Sequence, residues 1–192
     1  MIVLPADAKN YINKRVSSVV KDDFFKIVNA NFLKVKEQMI QEFLNHPVTI
    51  EIKAGPNSEN SSGLLGGKGN LFSFIGFEEG DDPIAPILDL LNAVDIRDAS
   101  AVPGGRLFVV NLPSPQQIFG FTPMPWATGR SWAKGIESGI SGLGFYLLKK
   151  TKASRSGSAL QASVKLDGIR FKNTPYISAL INKYSKEFNK IQ

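Results

Sequence analysis

The chain contains no cysteine, and among its 192 residues a single one, His46, is a histidine. The missing thiols exclude disulfide bonds, thiolate metal sites and a cysteine nucleophile. A zinc site of histidines needs more than one imidazole, and serine–histidine–aspartate catalysis would depend on His46 alone. His46 precedes Pro47 at the predicted end of a helix, where a protonated imidazole interacts favourably with the helix dipole. We therefore expect a protein that is not an enzyme, with no catalytic residue, cofactor or metal.

Two other stretches match chemical sites only in part. Four acidic residues lie close together, at Glu78, Glu79, Asp81 and Asp82. They could bind a divalent cation or serve a hydrolase, but they lack the alternating spacing of a calcium loop, and a solvated turn is favoured. The glycine-rich run 63–69 lacks the serine or threonine that follows the lysine of a phosphate-binding loop. We expect a turning loop there.

Long hydrophobic runs are also missing. No apolar stretch approaches the roughly 20 residues that cross a bilayer, and Pro5 interrupts an apolar start that is too short for a signal peptide. We therefore expect a soluble protein with no membrane partner. Hydrophobic residues make up 43% and charged residues 21% of the chain, as in ordinary globular proteins. We predict one domain over residues 1–192.

The net charge of +6 is unevenly distributed. Acidic residues outnumber basic ones over residues 1–92, whereas from Gly129 onward twelve lysines and arginines face three acidic residues. Such polarity favours head-to-tail packing of identical subunits, or contact with a polyanion. A solvated basic face is the simpler alternative.

A long amphipathic helix is predicted at 15–45. Apolar residues there, among them Val16, Val20, Phe24 and Ile27, recur mainly at three- and four-residue steps. Pro47 predicts the end of this helix, because the residue before a proline is pushed away from helical geometry. Such a helix is about 45 Å long at 1.5 Å per residue. This length exceeds one small core, so part of the helix is expected to lie against a neighbour.

The remaining pattern predicts an α+β fold, with a long N-terminal helix, a mainly antiparallel sheet with long excursions, and a C-terminal helix. Strands are predicted at 48–53, 71–77, 93–98 and 106–111. A loop at 54–70 and a charged turn at 78–83 separate them, and short helices are predicted at 84–93 and 128–138. Thr174 and Pro175 predict the cap and first turn of the last helix. Its apolar stripe comprises Ile177, Leu180, Ile181, Tyr184 and Phe188.

The proline-punctuated segment 112–126 is unusually apolar for a loop. A loop with that much apolar surface normally docks on something. It either folds back onto its own domain or forms a projecting arm that contacts another subunit, and both alternatives remain open. As a projecting arm, it would make its partner contacts through Ile118, Phe119, Phe121, Met124 and Trp126.

A basic hairpin is predicted at about 144–165, from strand candidates at 142–148 and 159–166. Its tip carries four candidate contact residues, Lys149, Lys150, Lys152 and Arg155. They could neutralise phosphates, but no recognised nucleic-acid motif accompanies them. Charge at a hairpin tip also keeps a protruding ribbon soluble. Nucleic-acid binding is therefore possible, but we do not expect it to be specific.

Several short stretches are similar to virion proteins of phages. They are 69–77 (GNLFSFIGF) with 80–84 (GDDPI), 129–132 (GRSW) through 139–144 (GISGLG), and 155–161 (RSGSALQ). The order of elements, with a last helix after 173–176 (NTPY), resembles the tail-completion and neck family of long-tailed bacteriophages. The likeness in layout covers about residues 16–188.

This resemblance implies a non-enzymatic ring subunit at the head–tail junction, without catalytic residues. The implied partners are copies of the chain itself and a tail terminator, tube, sheath or connector protein. The implied location is the virion neck or tail, assembled in the host cytoplasm. A basic nucleic-acid-binding protein is the alternative, and a hydrolase that uses the acidic residues at 78–82 is the weakest hypothesis.

Overall fold

The structure is a computed structural model that describes residues 6–67, 69–102, 105–140 and 173–191. Its helices are α1 (Ala6–Leu44), α2 (Pro47–Lys53), α3 (Leu71–Ile75), α4 (Ala85–Asn92), α5 (Pro115–Gly120), α6 (Trp132–Ser138) and α7 (Ile177–Phe188). Its strands are β1 (Ile96–Val102), β2 (Gly105–Val110), β3 (Pro123–Met124) and β4 (Ala127–Ser131). A short 3-10 turn spans Gly55–Asn57.

The hydrophobic core lies along the second half of α1. Phe32, Met39 and Phe43 are buried there, and their spacing of seven and four residues places them on one helix face. The Phe32 ring lies 5.5 Å from that of Phe188 at the end of α7, and the Phe43 ring lies 6.1 Å from Tyr176 at its start. The two helices are therefore antiparallel. The predicted apolar stripe of α7 is buried, which confirms that prediction.

The segment predicted as a strand at 48–53 is instead the helix α2. Pro47 lies in its first turn, where the missing N–H costs no helical hydrogen bond. Nδ1 of His46 caps the helix by accepting a hydrogen bond from the Val48 N–H at 3.3 Å. Val48 and Ile52, four residues apart, are both buried. The strand prediction was wrong because Pro47 ends one helix and also begins the next.

The second wrong strand prediction, at 71–77, falls on α3. The side chain of Asn70 caps this helix by accepting a hydrogen bond from the Ser73 N–H at 2.9 Å. Gly76 ends it with φ at 94°, in the left-handed region that glycine adopts without strain. The two caps stand one residue outside each end of a five-residue run, so a stretch of strand-like composition closes as one helical turn.

The strands form two antiparallel ribbons. In the first, Ile96 of β1 pairs with Val110 of β2, and a bulge lies between Asp98 and Ser100. This hairpin agrees with the strands predicted around 93–111. In the second, β3 pairs with β4. Across the described residues each ribbon has two strands, rather than being part of one sheet. Helices together with antiparallel strands confirm the α+β class.

Other boundaries differ from the prediction in part. The helix predicted at 128–138 is confirmed only as α6, because β4 occupies its first residues. The last helix begins at Ile177, with Tyr176 rather than Thr174 at the N-cap position. The Thr174 N–H donates instead to the Ile136 carbonyl at 3.2 Å, which ties this segment to α6. The helix α4 agrees with the prediction at 84–93, and Lys36 donates hydrogen bonds to the Asn92 and Val94 carbonyls at its end.

Candidate functional site

The apolar segment 112–126 folds back onto its own domain, so the predicted projecting arm is wrong. Ser114 and Gln117 form a capping box at the start of α5, and this helical turn gives the segment a face that it can bury. Ile118 is fully buried on that face, and Met124 of β3 is buried as well. These two residues lie in the chain's own core and offer no surface to a partner.

The end of this segment is fastened by Trp126. Its indole Nε1 donates a hydrogen bond to the Ile75 carbonyl at 2.7 Å. Its ring lies so near Gly76 that a Cβ there would come within 3.1 Å of Trp126 Cδ1. Phe119 is half-buried, whereas Phe121 keeps 57% of its surface exposed. Partner contact at Phe121 stays a prediction, and it is the predicted contact residue of this segment with the most exposed surface.

His46 has a structural role in this fold. It follows the end of α1 and caps the start of α2. We expected it to stabilise the C-terminus of a helix, but it stabilises an N-terminus instead. Its ring lies 4.9 Å from the Tyr176 ring. Burial lowers the pKa of His46, although the Pro175 carbonyl and the Glu42 carboxylate oppose that shift. The fold therefore favours the neutral imidazole, whose Nδ1 can accept a hydrogen bond.

The acidic residues at 78–82 use their carboxylates to shape a turn. Asp81 accepts a hydrogen bond from the Glu78 N–H at 2.8 Å. Asp82 accepts from the N–H groups of Ile84 and Ala85 at 3.2 and 3.1 Å, directly before α4. Within the described part of the chain, no group of three or more histidine, aspartate or glutamate side chains is placed to hold a metal ion.

The glycine-rich loop is organised by a buried carboxylate that the sequence did not single out. Glu51 on α2 is fully buried. Its Oε1 accepts hydrogen bonds from Asn60 Nδ2 at 3.0 Å and from the Leu71 N–H at 2.7 Å. Its Oε2 accepts from the Ser62 N–H at 2.8 Å. These donors flank the glycine-rich run 63–69, so Glu51 holds the two ends of that loop.

A second polar cluster joins the end of α1 to α7. Glu42 accepts hydrogen bonds from Lys183 at 2.5 Å and from the Tyr184 hydroxyl at 2.8 Å. The hydrogen bond from Lys183 lowers the pKa of the Glu42 carboxyl. Burial, followed by the bond to Glu42, raises the pKa of Tyr184. The cluster fastens the two antiparallel helices and involves none of the residues predicted as partner contacts.

The predicted basic hairpin at 144–165 lies outside the described residues, and so do Lys149, Lys150, Lys152 and Arg155. Their contact with a partner or with nucleic acid stays a prediction.

The structure instead reveals apolar side chains on α1 and β2 that the core does not cover. Of the seven large hydrophobic residues that are exposed in the described part of the chain, five lie on these two elements. We call them the exposed apolar set: Phe24, Ile27, Leu33, Leu107 and Val109. Phe24 is 41% exposed and Ile27 is 60% exposed. Single exposed apolar residues are normal, whereas a contiguous apolar patch is typical of an interaction surface.

The two elements of this set are joined by aromatic packing. The Phe108 ring of β2 lies 6.0 Å from the Phe24 ring and 5.9 Å from the Phe25 ring of α1. Phe108 points toward α1, and its neighbours Leu107 and Val109 point to the other face because strand side chains alternate. The hairpin thus covers α1 incompletely and exposes apolar side chains of its own.

A cleft of about 450 Å³ lies between the hairpin, α1 and the end of α7. We call it the β2 cleft. It is lined by all five consecutive residues 106–110 of β2. Apolar side chains from the surrounding elements complete it, among them Val28, Ile96, Leu112, Phe188 and Ile191. Sequence periodicity could not find this cleft, because it depends on the distances between a hairpin, the middle of α1 and the end of α7.

Comparison of the chain with family profiles, with curated proteins and with solved structures finds no match. Across the described residues, none of the helices combines the length and the apolar character that crossing a bilayer requires.

Proposed function

We propose that this protein is a structural subunit of a tailed bacteriophage particle, in the neck or tail-completion class at the head–tail junction. It acts by assembly and not by catalysis. Its partners are copies of itself, arranged as a ring, and other virion proteins such as a tail terminator, tube, sheath or connector. It assembles in the host cytoplasm and stays in the virion. The observation that carries the proposal is the exposed apolar set on α1 and β2.

The length of α1 supports an assembly role. Its 39 residues extend about 58 Å at 1.5 Å per residue, whereas 20 helical residues already span a small domain. Among the α1 side chains that the structure describes, from Asp23 onward, the first buried one is Val28, about 24 Å from Leu44 by the same rise. The helix continues before this buried stretch, where Phe24 and Ile27 are exposed. Helices gain most of their stability from packing an apolar face, so a second polypeptide is expected along this part.

The charge polarity of the chain supports packing between copies. The first half is mildly acidic, and from Gly129 onward the chain is clearly basic. Opposite signs at two separate regions favour a head-to-tail contact, which closes into a ring when the rotation between neighbours is suitable. The resemblance of layout and short stretches to the tail-completion and neck family supports the location in the particle.

The deciding experiment is the protein composition of purified, DNA-filled particles. Mass spectrometry of such particles should detect this chain at a stoichiometry of several copies per particle. Loss of the gene should leave filled heads and separate tails that do not join. A particle that lacks the chain, or unchanged assembly without it, contradicts the proposal. As a control, a capsid protein of the same particles must be detected in the same spectra.

The net charge of +6 supports nucleic-acid binding as the alternative function. It predicts DNA binding whose affinity falls steeply with salt, and which weakens when Lys149, Lys150, Lys152 and Arg155 are neutralised. Fluorescence anisotropy with a labelled duplex, at about 25 mM and about 200 mM salt, measures the affinity and its dependence on salt. Absence of binding at the lower salt removes the alternative.

A further inference from the structure

His46 joins three elements of the fold at one point. It stands between the end of α1 and the start of α2, and its Nδ1 accepts a hydrogen bond from the Val48 N–H at 3.3 Å. Its ring lies 4.9 Å from the ring of Tyr176, directly before α7. The side chain is half-buried, so water reaches part of the ring and can deliver a proton to it.

The helix cap that His46 provides requires a neutral imidazole. A neutral ring has one nitrogen that accepts a hydrogen bond, whereas a protonated ring carries an N–H on both nitrogens. After protonation the Nδ1–H would face the Val48 N–H, and two donors cannot bond to each other. The added positive charge would also lie at the N-terminus of α2, where the helix dipole disfavours it. The protonated ring therefore does not fit the capped arrangement.

The surroundings of His46 act on its protonation in opposite directions. Burial has the largest influence and lowers the pKa of the ring. Among the described residues, the Pro175 carbonyl and the Glu42 carboxylate of α1 favour the protonated form. The same Glu42 carboxylate accepts hydrogen bonds from Lys183 and from the Tyr184 hydroxyl of α7. Its negative charge is therefore shared with α7 and only partly acts on His46.

Two contacts that connect the start of α2 to the segment 173–176 depend on this cap. One is the ring contact between His46 and Tyr176. The other is a hydrogen bond of 2.8 Å between the hydroxyls of Thr49 and Tyr176, which are both buried. Thr49 lies in the first turn of α2, three residues after the cap, so unwinding of that turn breaks this bond as well. Tyr176 itself stays neutral, because burial raises the pKa of its hydroxyl.

The packing of α1 against α7 does not use this cap. The rings of Phe32 and Phe188 are in contact, and the hydrogen bond from Lys183 lowers the pKa of Glu42 below its ordinary value of 4.5. We propose that His46 is a pH-sensitive switch: a proton on its ring releases the first turn of α2 from the segment 173–176, while α1 stays packed on α7. This device goes beyond the proposed assembly role and does not require it.

The single histidine of the chain makes an NMR titration of the full-length protein specific. The Cε1–H signal of the His46 ring reports its protonation from about pH 7.5 to about pH 5, a range that covers ordinary histidine titration. Its midpoint is expected below 6.5. The amide signals of Val48 and Tyr176 should change with the same midpoint, whereas those of Phe32 and Phe188 should not change.

Three variants separate the cap from the charge. His46→Asn keeps an N-cap acceptor but has no titrating group, so the Val48 and Tyr176 signals should stay constant over this pH range. His46→Ala lacks the acceptor at every pH. Hydrogen exchange of the Ile50 N–H, which bonds to the carbonyl of residue 46, should then already be faster at neutral pH, on the order of fivefold. Glu42→Gln removes a charge that favours protonation, so the midpoint of the His46 ring should shift to lower pH.

The outcomes distinguish a local switch from other responses to acid. A ring midpoint at or above 6.5, or Val48 and Tyr176 signals that do not follow the ring, overturns the proposal. Loss of the Phe32 and Phe188 signals at the same midpoint also overturns it, because the whole chain then unfolds. A pH response that persists in His46→Asn belongs to another group and has the same consequence. If His46→Ala fails to fold, the comparison of His46→Asn with the unmodified chain decides.

Discussion

The two halves of α1 carry the same kinds of apolar side chain in opposite environments. Phe43 is 1% exposed beneath α7, whereas Phe24 is 41% exposed beside the hairpin. The side chains are identical, so the difference comes from what surrounds them. At Phe32 the helix meets Phe188, the last residue of α7. Before that point, among the described residues, Phe24 and Phe25 contact Phe108 of the narrow β1–β2 ribbon. In the proposed assembly, a second chain completes the packing of this part.

The largest expected effect comes from substituting the same residue type in both halves. Phe43→Ala should lower the free energy of unfolding by about 3–5 kcal/mol, because a fully buried phenylalanine leaves a cavity. Phe24→Ala should lower it by about 1 kcal/mol, since it loses part of its exposed contact with Phe108. Urea unfolding of the two variants measures the difference. Equal losses would contradict the contrast between the halves.

The next effect concerns the buried core, at Glu51 of α2. Glu51→Ala removes a buried carboxylate that accepts three hydrogen bonds and leaves the Ser62 and Leu71 N–H groups without their acceptor. We expect a loss of about 2–4 kcal/mol in the free energy of unfolding. Glu59→Ala, at an exposed position of the same loop, is the control and should stay within about 0.5 kcal/mol. A Glu51→Ala chain as stable as the control would show that the loop does not depend on this carboxylate.

A smaller effect on the free energy of unfolding is expected from pH, through Glu42 and His46 at the end of α1. The pKa of His46 is lowered in the fold, so its contribution is fully present above the ordinary value of 6.5 and is lost as pH falls through the folded pKa. The pKa of Glu42 is lowered too, so its contribution is present above 4.5 and is lost below that. The free energy of unfolding, measured with urea from neutral pH down through 6.5 and 4.5, should decrease as the pH decreases.

The His46→Asn variant assigns the upper part of this pH dependence. Asparagine is a good helix N-cap, so the variant keeps an acceptor for the Val48 N–H but has no titrating group. Stability should then change little with pH above the range where Glu42 titrates. A variant with the full pH dependence of the unmodified chain would exclude His46 as its source.

Substitution of Ile27, in the first half of α1, is expected to affect folding least and assembly most. Ile27→Asp should change the free energy of unfolding by about 0.5 kcal/mol or less, because Ile27 is 60% exposed. The mass in solution, measured by light scattering, should fall. Phe121→Asp is matched by its exposure of 57% and tests the segment that the sequence favoured. If Phe121→Asp lowers the mass and Ile27→Asp does not, the contact surface lies on that segment instead.

The sequence predicted the features that depend on long repeats. The later part of α1, the stripe of α7 and the hairpin around β1 and β2 follow from apolar spacing over many residues, which neighbouring contacts do not change. The predicted helix began at residue 15, however, whereas α1 begins at Ala6. The strands predicted at 48–53 and 71–77 failed because short apolar runs fit either structure. In both cases the deciding signals were the caps, His46 with Pro47 and Asn70 with Gly76, and these single residues outweighed the composition of the run.

The candidate site was less predictable for a physical reason. Apolar residues at 112–126 indicated a surface that must be covered, and the chain covers most of it with its own core through Ile118 and the Trp126 bond. Whether an apolar segment packs against its own core depends on its distance from other elements of the fold, which a local sequence pattern does not contain. The exposed apolar set had one signal in the sequence, the excess length of the first helix.

The uninterrupted run of α1 restricts how such a subunit can change size. Each residue of a helix adds 1.5 Å and turns the chain by about 100°, so a single deletion between Ala6 and Phe24 would aim everything before it in a new direction. Removal of seven residues shortens the rod by about 10 Å and restores the original direction to within about 20°. In the proposed assembly, a deletion of roughly two turns would therefore change the spacing between neighbouring subunits while nearly keeping their direction.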